Sequence, residues 1–347
     1  MIVLTFLLFL ITVLLAFLPI NHTGKLSKIF LIVIGAFLIL FSGFRIGSQF
    51  PDYSSYLILY EDIKSGDVIV ELSFVFIAKF VHFVFNNVLF VFLIYAVLGV
   101  SLKLAAIKQL TNLWLLSVVV YVANFFILHE MIQIRVGVAA AFLLLCVKPI
   151  YDRDVKKFLF FALLAIFFHV SALIILPLWF LGKFKDKANL YFLTALVPAA
   201  YVIYFLKVTV LNFIPIPYVQ DKLDLYAALQ ELGTADFFTD INVFNYVFLA
   251  KILIFYFLLY KHKLLMTHNK YTIVLLNIYA VSLFMYPALA MMPVLAGRVN
   301  ELLGIVEIIL FPLLYYIISP RYISVVIVVV WSLGILLINI FKSSLII

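Results

Sequence analysis

The sequence predicts an all-α polytopic membrane protein, and three observations predict it. Hydrophobic residues make up 67% of the chain and charged residues only 12%. Mean hydropathy is +1.27. Apolar runs close to the length of a bilayer-crossing helix recur along the whole chain, separated by short charged breaks. No soluble domain hides that much apolar surface from water. The chain therefore reads as a single transmembrane domain over 1–347 with about twelve spans and both termini outside. The first run, Ile2 to Ile20, starts without basic residues and has no small-residue cleavage site, so it is expected to be a retained helix.

The charged breaks set the topology. Net charge is +8, and basic loops face the cytoplasm. "NHTGKLSK", "KLAAIKQ", "KPIYDRDVKK", "GKFKDK", "KHKLLMTHNK" and "SPR" are the basic breaks. That puts Lys103, Lys156, Lys185 and Lys263 inside, and 45–71, 129–135, 207–242 and 288–298 outside. The long external loop 207–242 suits an outer face, since Lys207 and Lys222 are outnumbered by Asp221, Asp224, Glu231, Asp236 and Asp240. No basic face lies outside the lipid-length runs, which excludes nucleic-acid binding. Cys146 is the single cysteine, so no intrachain disulfide or thiolate metal site exists.

Several elements depart from simple spans. Residues 72–85 are apolar but cannot add a crossing without reversing the next basic loop, so they are expected to form a re-entrant segment, tolerated where protein or water satisfies its backbone. The stretch "KKFLFFALLAIFFHVSALIILPLWFLGKF" is basic at both ends, long for one helix and short for two, and predicts two short helices turning near His169. Two external segments look amphipathic. Tyr53, Tyr56, Leu57, Tyr60 and Ile63 repeat at helical spacing in the first, which suits a helix lying in the membrane interface. Tyr218, Leu225, Leu229 and Leu232 share a face in the second.

Arginine placement is the clearest chemical signal. Three of the five arginines, Arg45, Arg135 and Arg298, fall at outer ends of spans, against the positive-inside bias. A guanidinium offers a permanent charge and a planar fork that matches phosphate oxygens, so three together would hold an anion at the outer surface. Each could instead pair with a nearby carboxylate or reach lipid headgroups; Arg298 has Glu301 at i+3. Asp52 follows Pro51 at a helix start, where it is either an N-cap or a base for a sugar hydroxyl, with Tyr53 and Tyr56 beside it as rings that can stack on sugars. Glu71 reads as a helix-start charge. Glu130, in "HEMIQIR", is a base or an ion-pair partner, and its motif lacks the second histidine of a zinc site. Lys251 and Glu307 sit at membrane depth, where ionisable groups are functional candidates or a helix-to-helix pair. His169 is either a satisfied structural group or a donor to a phosphate oxygen and an acid/base. No metal-ligand spacing and no cofactor motif is present.

These residues resemble a known family. "FRIGSQFPDYSSYLILYE" resembles the FR-G…DY-x-x-Y element of the EpsG-like proteins, grouped with the Wzy-type polymerases of bacterial polysaccharides. "IQIRVGVAAAFLLLC" and "FFHVSALII" resemble that family's R-x-x-x-A and F-H-x-S-A-L-I elements, and "AGRVNELLGIVEIILFPLL" is a weaker echo; Val136 stands where the family usually has glutamine. The resemblance implies a GT-C-like fold in the bacterial inner membrane with its active site facing the periplasm or exterior. It implies a polymerase that joins undecaprenyl-diphosphate-linked oligosaccharide repeat units with inversion and releases undecaprenyl diphosphate. Membrane lipid and a chain-length regulator protein would be partners, and no cofactor or metal would be needed. On this reading Asp52, His169 and Glu130 are catalytic, Arg45, Arg135 and Arg298 hold the diphosphate, and Tyr53 and Tyr56 contact sugar. A flippase or exporter of lipid-linked glycans, or a glycan-modifying membrane acyltransferase, are the alternatives.

Overall fold

The computed structural model describes residues 1–17, 24–45, 47–66, 70–181, 187–207, 241–343 and 345–346. The second amphipathic segment, with Tyr218, Leu225, Leu229 and Leu232, and the body of the 207–242 loop lie outside the described residues, as does Lys185. The elements in order are α1 (Ile2–Ala16), α2 (Lys25–Gly43), α3 (Tyr53–Ser65), α4 (Leu72–Val84), α5 (Leu89–Leu110), α6 (Trp114–Ile132), α7 (Ile134–Asp152) and α8 (Val155–Phe168). A 3-10 segment, Val170–Leu181, follows, then α9 (Lys187–Phe205), α10 (Tyr246–Tyr260), α11 (His262–His268), α12 (Thr272–Ala288), α13 (Pro293–Gly304), α14 (Glu307–Leu310) and α15 (Arg321–Leu337).

Among the described residues, α2, α5, α6, α7 and Arg321–Phe341 are long and apolar enough to cross a membrane. Other apolar helices, such as α1, α4, α10 and α12, have 10–17 residues. At 1.5 Å per residue they fall short of a hydrocarbon core of about 30 Å unless flanking residues reach the interface. The expected span 299–318 is broken into α13, α14 and a 3-10 turn over Phe311–Tyr316. Among the described residues, full-length helices therefore pack among short and interrupted ones, and the expected spans are not all single full-length helices.

α6 and α7 form the centre. Trp114, Tyr121, Phe126, Val138, Ala139 and Leu143 have essentially no exposed surface. α6 opens from α-helical pitch into a wider π pitch over Tyr121–Ile132. It therefore runs past the expected end at residue 128 and carries His129 and Glu130 inside, where both are buried. Glu130 forms an ion pair with Lys103 of α5. This corrects the topology read from charge, which put these two residues on opposite sides of the membrane. Lys103 sits within α5 rather than in a loop, and a cation neutralised by a buried partner carries no weight in the positive-inside bias.

The hairpin at His169 forms as the chain length requires. Phe158 and Trp179 meet at 5.1 Å between ring centroids, and Arg153 donates to the Trp179 carbonyl at 2.7 Å. α8 and the 3-10 segment thus run back along each other with His169 at the turn. α3 differs from its expected place. Its Tyr56, Tyr60 and Ile63 face is buried in protein, with Tyr56 against Phe74 and Phe92 and Tyr60 stacked on His82 at 3.8 Å. Glu61 and Asp62 are exposed. Gly66, at φ 103°, ends the helix in the left-handed conformation that glycine tolerates.

Candidate active site

The starts of three helices converge on one cavity of about 310 Å³, lined by Asp52, Tyr56, Gln133, Arg135, Val136, His169, Pro293, Val294, Gly297, Arg298 and Glu301. Asp52 is the N-cap of α3, Gln133 the N-cap of α7, and Pro293 the first residue of α13. First-turn N–H groups lack intrahelical partners, and the helix dipole places partial positive charge there. Each such terminus favours an anion by about 0.3–1 kcal/mol. Along α13, Val294, Gly297, Arg298 and Glu301 lie at i, i+3, i+4 and i+7, so they share one face. Ala296, Val299, Leu302 and Leu303 are buried on the other.

The charged groups here are only partly matched. Arg135 pairs with Glu71, the N-cap of α4, and its guanidinium lies 5.6 Å from the Tyr56 ring and 5.9 Å from that of Phe74. Glu71 also faces His169 Nε2 at 3.6 Å. Nδ1 of His169 accepts from the Ser171 backbone N–H at 3.2 Å and lies 2.7 Å from the Ser171 hydroxyl. An accepting Nδ1 leaves the ring proton of a neutral imidazole on Nε2. The H-x-S spacing thus sets the tautomer and aims a donor at Glu71, beside the cavity. Arg298 is exposed and, among the described residues, makes no ion pair. Asp52 holds the N-cap position but its side chain makes no capping bond. Burial pushes the Asp52 carboxyl above its usual range, against the pull of Arg298 and Arg135.

Three of the sequence-selected residues lie elsewhere. The Arg45 guanidinium turns inward, where Nη1 donates to the carbonyls of Glu130 at 2.6 Å and Ser42 at 3.3 Å and the group stacks 4.2 Å over Phe92. It satisfies carbonyls that the C-terminal turn of α2 and the end of α6 leave open. Glu130 pairs with Lys103 and accepts from the Tyr121 hydroxyl at 2.9 Å, so its carboxylate is committed inside the protein. Tyr53 stacks on Phe92 at 5.0 Å.

Two polar cavity residues, Gln133 and Glu301, were not selected from sequence as site residues. Gln133 donates to Glu301 at 3.1 Å, so Glu301 engages Gln133 rather than the Arg298 three residues before it. The signal available was the helical period of 294, 297, 298 and 301. Among the described residues, no three His, Cys, Asp or Glu side chains come together as a metal site.

The comparisons with known proteins point one way. The EpsG family model matches residues 28–346, nearly the whole chain. Neither a curated protein nor a solved structure matches it. The matched region contains the helix starts, both cavity arginines and the His169 hairpin, and the chain belongs to the EpsG family, whose members are Wzy-type polysaccharide polymerases.

Proposed function

We propose that this protein joins lipid-linked oligosaccharide repeat units into a polysaccharide. The reaction occurs at the outer face of the bacterial cytoplasmic membrane, with undecaprenyl diphosphate as leaving group. One observation carries this reading: Arg135, Arg298 and the starts of α7 and α13 face the same cavity. Such an array of fixed cations and orphan N–H groups suits a diphosphate. A leaving diphosphate gains charge as the glycosidic bond breaks, so preorganised donors stabilise the transition state more than the ground state.

The other cavity residues take roles from their placement. His169, with its proton on Nε2, donates to a phosphate oxygen and shares Glu71 with Arg135. Tyr56 offers a ring to the donor sugar. Asp52 takes the proton from the attacking hydroxyl. That oxygen bonds to the anomeric carbon on the face opposite the departing diphosphate, and the configuration inverts. The same reading takes α4 as re-entrant, with Glu71 at its outer end, and the interrupted helices as parts of about twelve passes with both termini outside. A chain-length regulator protein would act beside it in the membrane.

The test is deletion of the gene with analysis of the surface glycan. Loss of long chains with single repeat units retained is the expected result. Loss of single units as well would place the protein earlier, in synthesis or export of the repeat.

A further inference from the structure

A second cavity, of about 530 Å³, lies against the first, and Gly297 and Glu301 belong to the walls of both. Its volume falls within the ~300–1,000 Å³ of small-molecule sites. At Gly297 an added Cβ would meet nothing within 4 Å, so a larger side chain has room to project from the shared wall.

The chemistry of the second cavity differs from that of the first. Its cation, Lys251, is neutralised by Glu307 at 2.8 Å. Carboxamides supply half of its polar lining residues: Asn124, Asn245, Asn300 and Asn339. Asn245 is committed to capping α10, accepting from the Phe248 N–H at 2.9 Å and donating to the Asn242 carbonyl at 2.7 Å. The others keep capacity. Asn339 donates its amide to Asn124 Oδ1 at 3.2 Å, which leaves the Asn124 N–H groups and the Asn339 carbonyl oxygen. Asn300 Oδ1 accepts from Ser282 at 3.0 Å, which leaves its N–H groups. Among the described residues these atoms have no other side-chain partner. Tyr286 and Phe248, 4.6 Å apart between centroids, add an aromatic wall. Neutral donors and acceptors beside aromatic faces match a sugar ring, which carries hydroxyls at its edge and C–H groups on its faces. They do not match a diphosphate.

We infer that the second cavity is the acceptor-sugar subsite and that Glu301, on the shared wall, positions the attacking hydroxyl at the opening into the arginine cavity. This rests on the transferase reading above. The acceptor hydroxyl oxygen bonds to the donor's anomeric carbon. The bond from that carbon to the diphosphate oxygen breaks, its electron pair leaves on the diphosphate, and the hydroxyl proton passes to Asp52. Glu301 accepts a hydrogen bond from a neighbouring hydroxyl of the acceptor sugar, which leaves the attacking O–H free for Asp52, and is itself held by Gln133.

The test uses the purified full-length protein in lipid nanodiscs, with the native lipid-linked repeat unit as donor and the same oligosaccharide, freed of lipid, as acceptor. Asn300→Leu and Asn339→Leu should each raise the acceptor KM at least tenfold while undecaprenyl diphosphate affinity stays at the parent value. Gly297→Val, which adds bulk on the wall the two cavities share, should raise the acceptor KM without lowering the unfolding temperature, so the test survives if an asparagine variant fails to fold. Glu301→Gln keeps an accepting oxygen and should retain more kcat than Glu301→Leu, with a larger acceptor KM in the latter. Unchanged acceptor KM in a folded Asn300→Leu or Gly297→Val, with diphosphate binding intact and sensitive to Arg298→Ala, overturns the acceptor assignment alone. A parent protein that binds no undecaprenyl diphosphate overturns the transferase reading instead.

Discussion

Two groups of charged side chains stand in this apolar protein, and they are arranged on opposite plans. The inner group is closed. Lys103 and Glu130 are fully buried, the Tyr121 hydroxyl and the Gly137 carbonyl complete their hydrogen bonding, and Arg45 ties the Glu130 carbonyl to the end of α2. The outer group is open. Arg135 has Glu71, and His169 Nε2 faces the same carboxylate, but Arg298 and Asp52 line a cavity and, among the described residues, make no ion pair. Both groups contain a cation, a carboxylate and a tyrosine, so residue type alone does not separate them. What separates them, among the described residues, is whether each carboxylate is ion-paired: Glu130 is, and Asp52 is not. A closed group holds helices in register, while an open one leaves charge for a ligand to match.

The sharpest way to break the comparison is to open the closed group. Lys103→Met leaves Glu130 buried and uncompensated, which should cost about 3–5 kcal/mol and appear as a lower unfolding temperature or loss of folded protein in the membrane. The double variant Lys103→Met, Glu130→Leu should recover much of that loss, because replacing both charges removes the desolvation penalty. A single variant as stable as the parent would mean that the pair does not hold the fold. Next is Gly99. A Cβ there would lie 2.1 Å from Glu130 Oε2, so Gly99→Ala should destabilise by about 1–3 kcal/mol, again read by thermal unfolding. Arg45→Ala comes third, at about 1–3 kcal/mol for carbonyls left unsatisfied. Its affinity for undecaprenyl diphosphate should match the parent's, whereas a cavity arginine would lose affinity.

The smallest expected effect sharpens the open group. Burial holds the Asp52 carboxyl above the usual carboxylate range, and as a base it must be ionised. Turnover should therefore be full above that raised pKa and fall tenfold per pH unit below it. Asp52→Asn should lower kcat and abolish this acid limb while sparing donor binding. A parent profile that stays flat down to the usual carboxylate pKa would remove Asp52 as the base.

How much of this was legible before folding follows from the same contrast. The membrane class, the hairpin at His169 and the arginines standing at the ends of apolar runs are local properties of composition and spacing. The cavity brings together Arg135, Arg298, Asp52, Tyr56 and His169 because these residues stand at helix starts or turns on one side. The inner group was not legible. Whether Glu130 meets Lys103 depends on the π pitch of α6 and the stagger of α5 against it, and no hydrophobic period encodes either. Arg45 reads in sequence like Arg135, since each stands at one end of an apolar run. Only tertiary contact shows that Arg45 finds carbonyls within reach while the α7 start faces a cavity. Glu301 was hidden by its own neighbour. An i+3 arginine is a sufficient local partner on a helix, so the sequence offered no reason to look for Gln133.

If the open group binds a lipid-linked diphosphate, Arg298 is where that binding shows most cleanly, because among the described residues it makes no ion pair to lose. The measurement is the affinity of the purified protein for undecaprenyl diphosphate, with the polymerisation rate, in the parent, Arg298→Ala and Arg298→Lys. Removing one charge-assisted fork should slow polymerisation by about 10²–10³-fold, or roughly 2.7–4 kcal/mol. It should also weaken diphosphate binding and leave the unfolding temperature unchanged, with only partial rescue by lysine, whose point charge cannot bridge two oxygens in one plane. A folded Arg298→Ala that binds the diphosphate and polymerises as the parent does would contradict the account.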